Sequence, residues 1–250
     1  MIPLKDNIPT DRFPYVTVAL ILANIVVYLL AVSHGGSIIS GPDTQEVVKY
    51  GAIPAALTHC LGKHEVIVGN QLVCAHSGGM PTWQTVFTAM FMHASILHIG
   101  GNLLFLWIFG NNVEDSMGPV KYIGFYILGG IAALALQVAI DPNSTAPTLG
   151  ASGAIAAVLG GYILIYPRAR VLTLVFIILF FTVIELPAVL VLAIWFIQQA
   201  VFGAADLTNP TGGGGGVAYF AHVGGFVLGL ATIKLLATRR RQIPPRYPVY

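Results

Sequence analysis

The chain has 250 residues, 56% of them hydrophobic and 9% charged. Soluble domains carry about 25% charged residues, so a water-facing surface cannot be built from this composition, and disordered chains are far less apolar. The net charge of +2 is too small to suggest nucleic acid, which leaves an all-α polytopic membrane protein whose first partner is the lipid bilayer.

Residues 1–14 read as a cytoplasmic N-terminus and 15–237 as the membrane domain. The first span runs from about Tyr15 to Val32, inside thirty uncharged residues from Phe13 to Pro42. A bilayer-spanning helix needs about 20. No small-residue cleavage site follows it, so it reads as an uncleaved helix rather than a signal peptide. A polar loop over 34–83 comes next, with both cysteines and four of the seven histidines. Span two covers Ala94 to Gly110, and span three covers Tyr122 to Ile140 before the breaker Asp141-Pro142-Asn143. The fourth span is short, from Ser152 to Tyr166. Val171 to Phe202 is too long for one helix and too short for two. Ala188 to Phe202 reads as span five, with Val171 to Glu185 as an interfacial or partly inserted approach. Span six is Val217 to Ala237, and 238–250 is a basic, Pro-rich cytoplasmic tail.

Placement of the basic residues orients the six spans. With both termini on one side, that side holds ten of the twelve Lys and Arg, and the other holds Lys49 and Lys63. Basic loops stay cytoplasmic, so the long loop and the Pro142–Gly150 and Gly203–Gly216 loops lie outside. An outside loop permits oxidation, so Cys60 and Cys74 are expected to pair in a disulfide. Metal capture with His59, His64 and His76 is the alternative. Gly212 to Gly216, five consecutive glycines, read either as a plain linker or as a mobile outer cap.

Polar groups at membrane depth are costly and tend to mark function. Three clusters fall at the outer ends of their spans. His98 and Asn102 are four apart and share a helix face, with His93 in the approach to it. A metalloprotease His-Glu-x-x-His motif is absent, so no metal and no cofactor are expected. Gly150-Ala151-Ser152-Gly153 opens span four and places a serine at a helix N-terminus, where amides favour developing negative charge. Ala221-His222-Val223-Gly224-Gly225 opens span six, and Gly225 and Gly229 have the spacing of close helix packing. Depth counting at about 1.5 Å per residue puts Ser152 and His222 at similar levels. A serine paired with a histidine is the minimum for an activated nucleophile.

These motifs together resemble the rhomboid family of intramembrane serine proteases. The matching residues are His93-x4-His98-x3-Asn102, Val113-Glu114 with Met117-Gly118, Gly150-x-Ser152-Gly153, and Ala221-His222-x2-Gly225-x3-Gly229, in family order over about 80–237. The resemblance implies a six-helix rhomboid-like bundle with a Ser152–His222 dyad and no aspartate. It also implies oxyanion donation by His98, Asn102 and the Ser152 amide, with Gly150 letting the loop approach that oxyanion and substrate-binding site. It implies supporting roles for Gly153 and Gly225, a structural His93 at the cavity mouth, and a Glu114 that orders the first-loop region. Ala156 stands where some members carry an aromatic under the histidine, so support for His222 is to be sought on another span. The expected activity is endopeptidase cleavage of transmembrane protein substrates near their outer ends, in a bacterial cytoplasmic membrane. A catalytically inactive client-binding relative, or a proton-relaying transporter, would use the same polar residues. The sequence does not determine the oligomeric state.

Overall fold

The computed structural model describes residues 1–60, 64–68, 71–75, 80–177, 180–208 and 218–238. The five glycines 212–216 and the basic tail from residue 239 lie outside the described residues. Among the described residues, five helices are long and apolar enough to cross a membrane: Tyr15–Ser33 (α1), the run Ile96–Met117, Pro119–Ile140 (α7), Ala188–Ala205 within α9 (Ala188–Thr208), and Tyr219–Leu236 (α10). A sixth, shorter apolar helix, Ser152–Ile165 (α8), has 14 residues. The chain is a multi-pass membrane protein with a helical bundle.

Apolar side chains cover the outside of the bundle as well as filling its core. Leu22, Val26, Leu29 and Leu30 on α1, and Ile194, Ile197, Val201 and Phe202 on α9, face outward. The centre is α8, which is buried from Gly153 through Tyr162. It can occupy that place because its sequence is small and apolar, and α7 and α10 close on it from two sides. A Cβ on Gly225 would overlap the Gly153 carbonyl oxygen, and one on Gly229 the Ala157 carbonyl. One on Gly160 would meet the Phe226 carbonyl. Glycine on facing ridges therefore sets the α8–α10 separation at backbone contact.

Span two is longer than its apolar run predicts. It starts as α5 (Ile96–Phe105), passes through one π-helical turn over Leu106–Gly110, and ends as α6 (Asn111–Met117). Asn112, Glu114 and Ser116 are polar yet buried, so the helix continues where hydropathy stops. Gly118, at φ +83°, ends it and turns the chain into α7.

The approach to span five is built from two β-strands. Arg170–Ile177 (β6) pairs antiparallel with Phe180–Pro187 (β7), and Ile2–Asp6 (β1) adds a third strand to β6. The N-terminal segment read as a tail is thus part of a sheet at the Tyr166 end of α8. Glu185 lies opposite Leu172 on β6, and its carboxylate meets Arg170 at 3.5 Å.

The long loop between α1 and α5 is also structured. It holds a small ribbon, Gly36–Ser37 (β2) with Gly41–Pro42 (β3), then the short helices Thr44–Tyr50 (α2) and Pro54–His59 (α3). A second hairpin follows, His64–Val68 (β4) with Gln71–Ala75 (β5), and then Thr82–Thr88 (α4). Asp43 caps α2 by accepting from the Glu46 amide. Cys60 is fully buried at the end of α3 and is disulfide-bonded, in a chain with two cysteines. Cys74 lies on β5, opposite Glu65.

Candidate active site

The close α8–α10 contact brings two side chains together at one end of the bundle. Ser152 Oγ and His222 Nε2 are 2.7 Å apart, within reach for proton transfer. Ser152 is the first residue of α8, so the amides of the first helical turn surround it without partners inside the helix. His222 lies in the first turn of α10, and the Ala221 amide donates to Gln137 Oε1 of α7 at 3.3 Å.

The turn before Ser152 is held from two directions. The Gly150 amide donates to the Ala89 carbonyl at 2.8 Å, and the Ala151 amide approaches His93 Nε2 at 3.5 Å. His93 Nδ1 meets the Phe91 carbonyl at 3.2 Å. His93 is fully buried, which corrects its expected place at a cavity mouth: it sits behind the turn and joins it to the approach to α5.

His98 and Asn102 sit one turn apart on α5, as their spacing predicts. The Ala94 amide approaches His98 Nδ1 at 3.4 Å. With Nδ1 accepting, Nε2 carries the proton. That Nε2 is directed at Gly150: a Cβ there would lie 2.8 Å from it and 3.5 Å from Ser152 Oγ. Gly150 has φ +119°, a backbone state that L side chains rarely adopt. Glycine at 150 therefore leaves a gap between a hydroxyl and a histidine donor. Asn102 is buried, and among the described residues its side-chain Nδ2 has no hydrogen-bond partner. A buried donor left open in this way is costly and is what an incoming oxygen would satisfy.

A cavity of about 310 Å³ opens at the pair, lined by Ser152 and His222 together with the apolar Met90, Gly130, Ala133 and Leu134. Gly153 supports it from α8, where a Cβ would press on Ala133 at 2.5 Å.

Glu114 has partners other than those anticipated, and support for His222 comes from another span. Among the described residues, the hydrogen-bond partners of the Glu114 carboxylate lie at the start of α1. The carboxylate accepts from the Val16 amide at 3.0 Å, and from the Thr17 amide and hydroxyl at 2.8 Å each. It therefore caps α1 from a distant segment, satisfying amides that a helix N-terminus leaves open. Ala156 is buried and places no ring near His222. The ring that comes near is Trp195 of α9, 5.6 Å from the imidazole between centroids. One turn further along α9, Gln199 Oε1 lies 2.7 Å from His222 Nδ1. Gln199 was not singled out in the sequence. Its signal was its level: eleven residues into α9 is about 17 Å from the helix start, close to the depth of Ser152.

With this geometry in place, comparison with known proteins gives a consistent picture. Residues 81–239 match the model of the Rhomboid domain. The chain is 27% identical over 150 residues to the mitochondrial Rhomboid protein 1 of Saccharomyces cerevisiae, covering 58% of the chain and 40% of that protein. It is 28% identical over 148 residues to the Rhomboid protease GluP of Bacillus subtilis, covering 59% of the chain and 23% of that protein. It is 37% identical over 75 residues to the chloroplastic Rhomboid-like protein 11 of Arabidopsis thaliana, covering 30% of the chain and 26% of that protein. The chain thus matches less than half the length of each of these relatives.

Proposed function

The chain belongs to the rhomboid family, and from that premise we propose that it is an intramembrane serine endopeptidase acting on transmembrane segments of other membrane proteins. The observation that carries the proposal is the 2.7 Å contact of Ser152 Oγ with His222 Nε2, at a helix head beside the His98 donor.

Ser152 gives its proton to His222 as its oxygen attacks the scissile carbonyl carbon. The carbonyl oxygen becomes an oxyanion over Gly150, within reach of His98 Nε2–H, Asn102 Nδ2–H and the Ser152 amide. Such donors stabilise charge that develops only in the transition state. The carbon–nitrogen bond then breaks as His222 returns the proton to the leaving amine. A water deprotonated by His222 releases the acyl group and restores the serine. The apolar wall at Met90 and Ala133 accepts a small side chain beside the cut. Helical peptide bonds are shielded by their own hydrogen bonds, so segments weakened by Gly, Pro or Asn are the preferred substrates.

The ten-to-two placement of basic residues supports cytoplasmic termini and a site that opens on the extracytoplasmic side of the cell membrane. The test is cleavage of a single-span reporter in liposomes. Native protein is expected to cut it, and Ser152→Ala and His222→Ala are expected to fall by about 10³-fold or more. A fluorophosphonate should label the native chain and not Ser152→Ala. Cleavage by Ser152→Ala at the native rate would overturn the mechanism. Capture of the reporter without any cleavage by the native chain would mark a client-binding scaffold instead.

A further inference from the structure

A Ser–His pair alone leaves two things undetermined: which imidazole nitrogen carries the proton, and which way the ring faces. Both must be settled for Nε2 to present a lone pair to Ser152. Inside this bundle they are settled by α9. The only side-chain oxygen of Gln199 is an amide carbonyl, an acceptor, and it lies 2.7 Å from His222 Nδ1. Nδ1 must then donate, so the proton sits on Nδ1 and Nε2 is free to accept from Ser152 Oγ at 2.7 Å. Gln199 is itself buried, at 8% exposure, which limits competition from water for that bond. Trp195, four residues earlier on the same face of α9, lies beside the imidazole at 5.6 Å. Together they grip the ring by its edge and by its side, where Ala156 offers nothing.

We propose that Gln199 is the positioning residue of the dyad, forming a Ser152–His222–Gln199 relay in which a neutral amide does the orienting done elsewhere by a carboxylate. The choice of an amide follows from the surroundings. A carboxylate buried among apolar helices carries a large desolvation penalty, whereas an amide supplies the same acceptor without a charge to bury. The amide dipole also stabilises the imidazolium that forms as Ser152 attacks. The contribution is therefore larger in the transition state than in the ground state and is expressed in kcat. This inference rests on the dyad reading above.

The experiment measures reporter cleavage in liposomes, with kcat and KM separated, for Gln199→Leu, Gln199→Ala and Gln199→Glu beside native protein and Ser152→Ala. Leucine keeps the apolar bulk and removes the acceptor, while glutamate keeps an acceptor at the cost of a charge. Gln199→Leu and Gln199→Ala are expected to lose about tenfold to a hundredfold in kcat at unchanged KM, the range for one lost hydrogen bond to a group that becomes charged. Gln199→Glu is expected to retain more kcat than Gln199→Leu. Fluorophosphonate labelling of Ser152 should slow in the same order, because it reads serine activation without a peptide substrate. A packing role would reverse the order, with leucine tolerated and glutamate harmful. Native kcat in Gln199→Leu, with Ser152→Ala inactive, would overturn the relay and leave the dyad standing. Native activity in Ser152→Ala would remove the dyad reading itself.

Discussion

At the scale of single residues, Gly150 acts through what it lacks. Its φ of +119° and the 2.8 Å separation between a would-be Cβ and His98 Nε2 make two independent demands for glycine. One is backbone conformation, and the other is the space an oxyanion would occupy. Gly150→Ala is expected to reduce kcat by about 10²-fold, the scale of a 1 Å misplacement in a reacting pair, while the purified chain keeps its thermal midpoint within a few degrees. Cleavage kinetics and a melting curve on the same sample separate the two effects. An alanine variant with native kcat would mean that the gap over residue 150 is not used. Asn102 belongs to the same argument: among the described residues its buried Nδ2 has no hydrogen-bond partner, so it is open to an acceptor. Glu114 shows the opposite case. An acidic residue beside a span carries no signal of which helix it serves, and its three bonds to Val16 and Thr17 span nearly a hundred residues of sequence.

At the scale of elements, the site depends on how closely α8 and α10 approach. Gly225 faces the Gly153 carbonyl so closely that any side chain must part the helices, and Gly153 and Gly225 are neighbours of Ser152 and three residues beyond His222. Gly225→Leu is therefore expected to lose cleavage altogether and to destabilise the fold by about 1–3 kcal/mol, the usual cost of overpacking. Gly225→Ala should fall between it and the native chain in both respects. Native cleavage by Gly225→Leu would show that the helix crossing can adapt. This much was legible in the sequence: small residues on both helices, a serine and a histidine at matching depth, and His98 and Asn102 one turn apart. The hairpin β6–β7 was not, because Val171–Phe181 is a continuous apolar run that periodicity cannot divide between strand and buried helix. Its β-branched valines, isoleucines and threonines were the available evidence for strand. The extension of span two through Asn111–Met117 was hidden for a related reason. Polar residues that are buried against partners distant in sequence look, locally, like a loop. Gln199 was missed because one amide in a Gln-Gln pair near the end of a span has no pattern of its own; it acquires meaning only once His222 has a position.

At the scale of the whole molecule, the end opposite the site is tied together by one buried carboxyl group. Asp6 ends β1, and its Oδ2 accepts from Tyr162 Oη at 2.5 Å and from Asn112 Nδ2 at 2.7 Å. The N-terminal strand, span two and the central helix α8 therefore meet at one atom, while β1 pairs with β6 beyond them. Burial pushes the Asp6 carboxyl up from 3.8 to about 7; the hydrogen bond from Tyr162 and the charge of Lys5 oppose that shift without cancelling it. The folded-state value lies above that of the exposed group, so the fold takes up a proton between the two. The associated stability is fully present below about pH 4 and is lost as the pH rises through about 7. The thermal midpoint in detergent is thus expected to fall by about 5–10 °C between pH 5 and pH 8, taking about 1.4 kcal/mol per pKa unit over about two units and 2–4 °C per kcal/mol for a chain of this size. Asp6→Asn retains an acceptor for Tyr162 and Asn112 and does not titrate, so it should flatten that slope. It should also leave cleavage at low pH close to native, since Asp6 lies at the far end of α8 from Ser152. Parallel melting curves of the two proteins across this pH range decide the matter: an equal slope in Asp6→Asn would place the pH dependence elsewhere in the molecule and free the N-terminal strand from it.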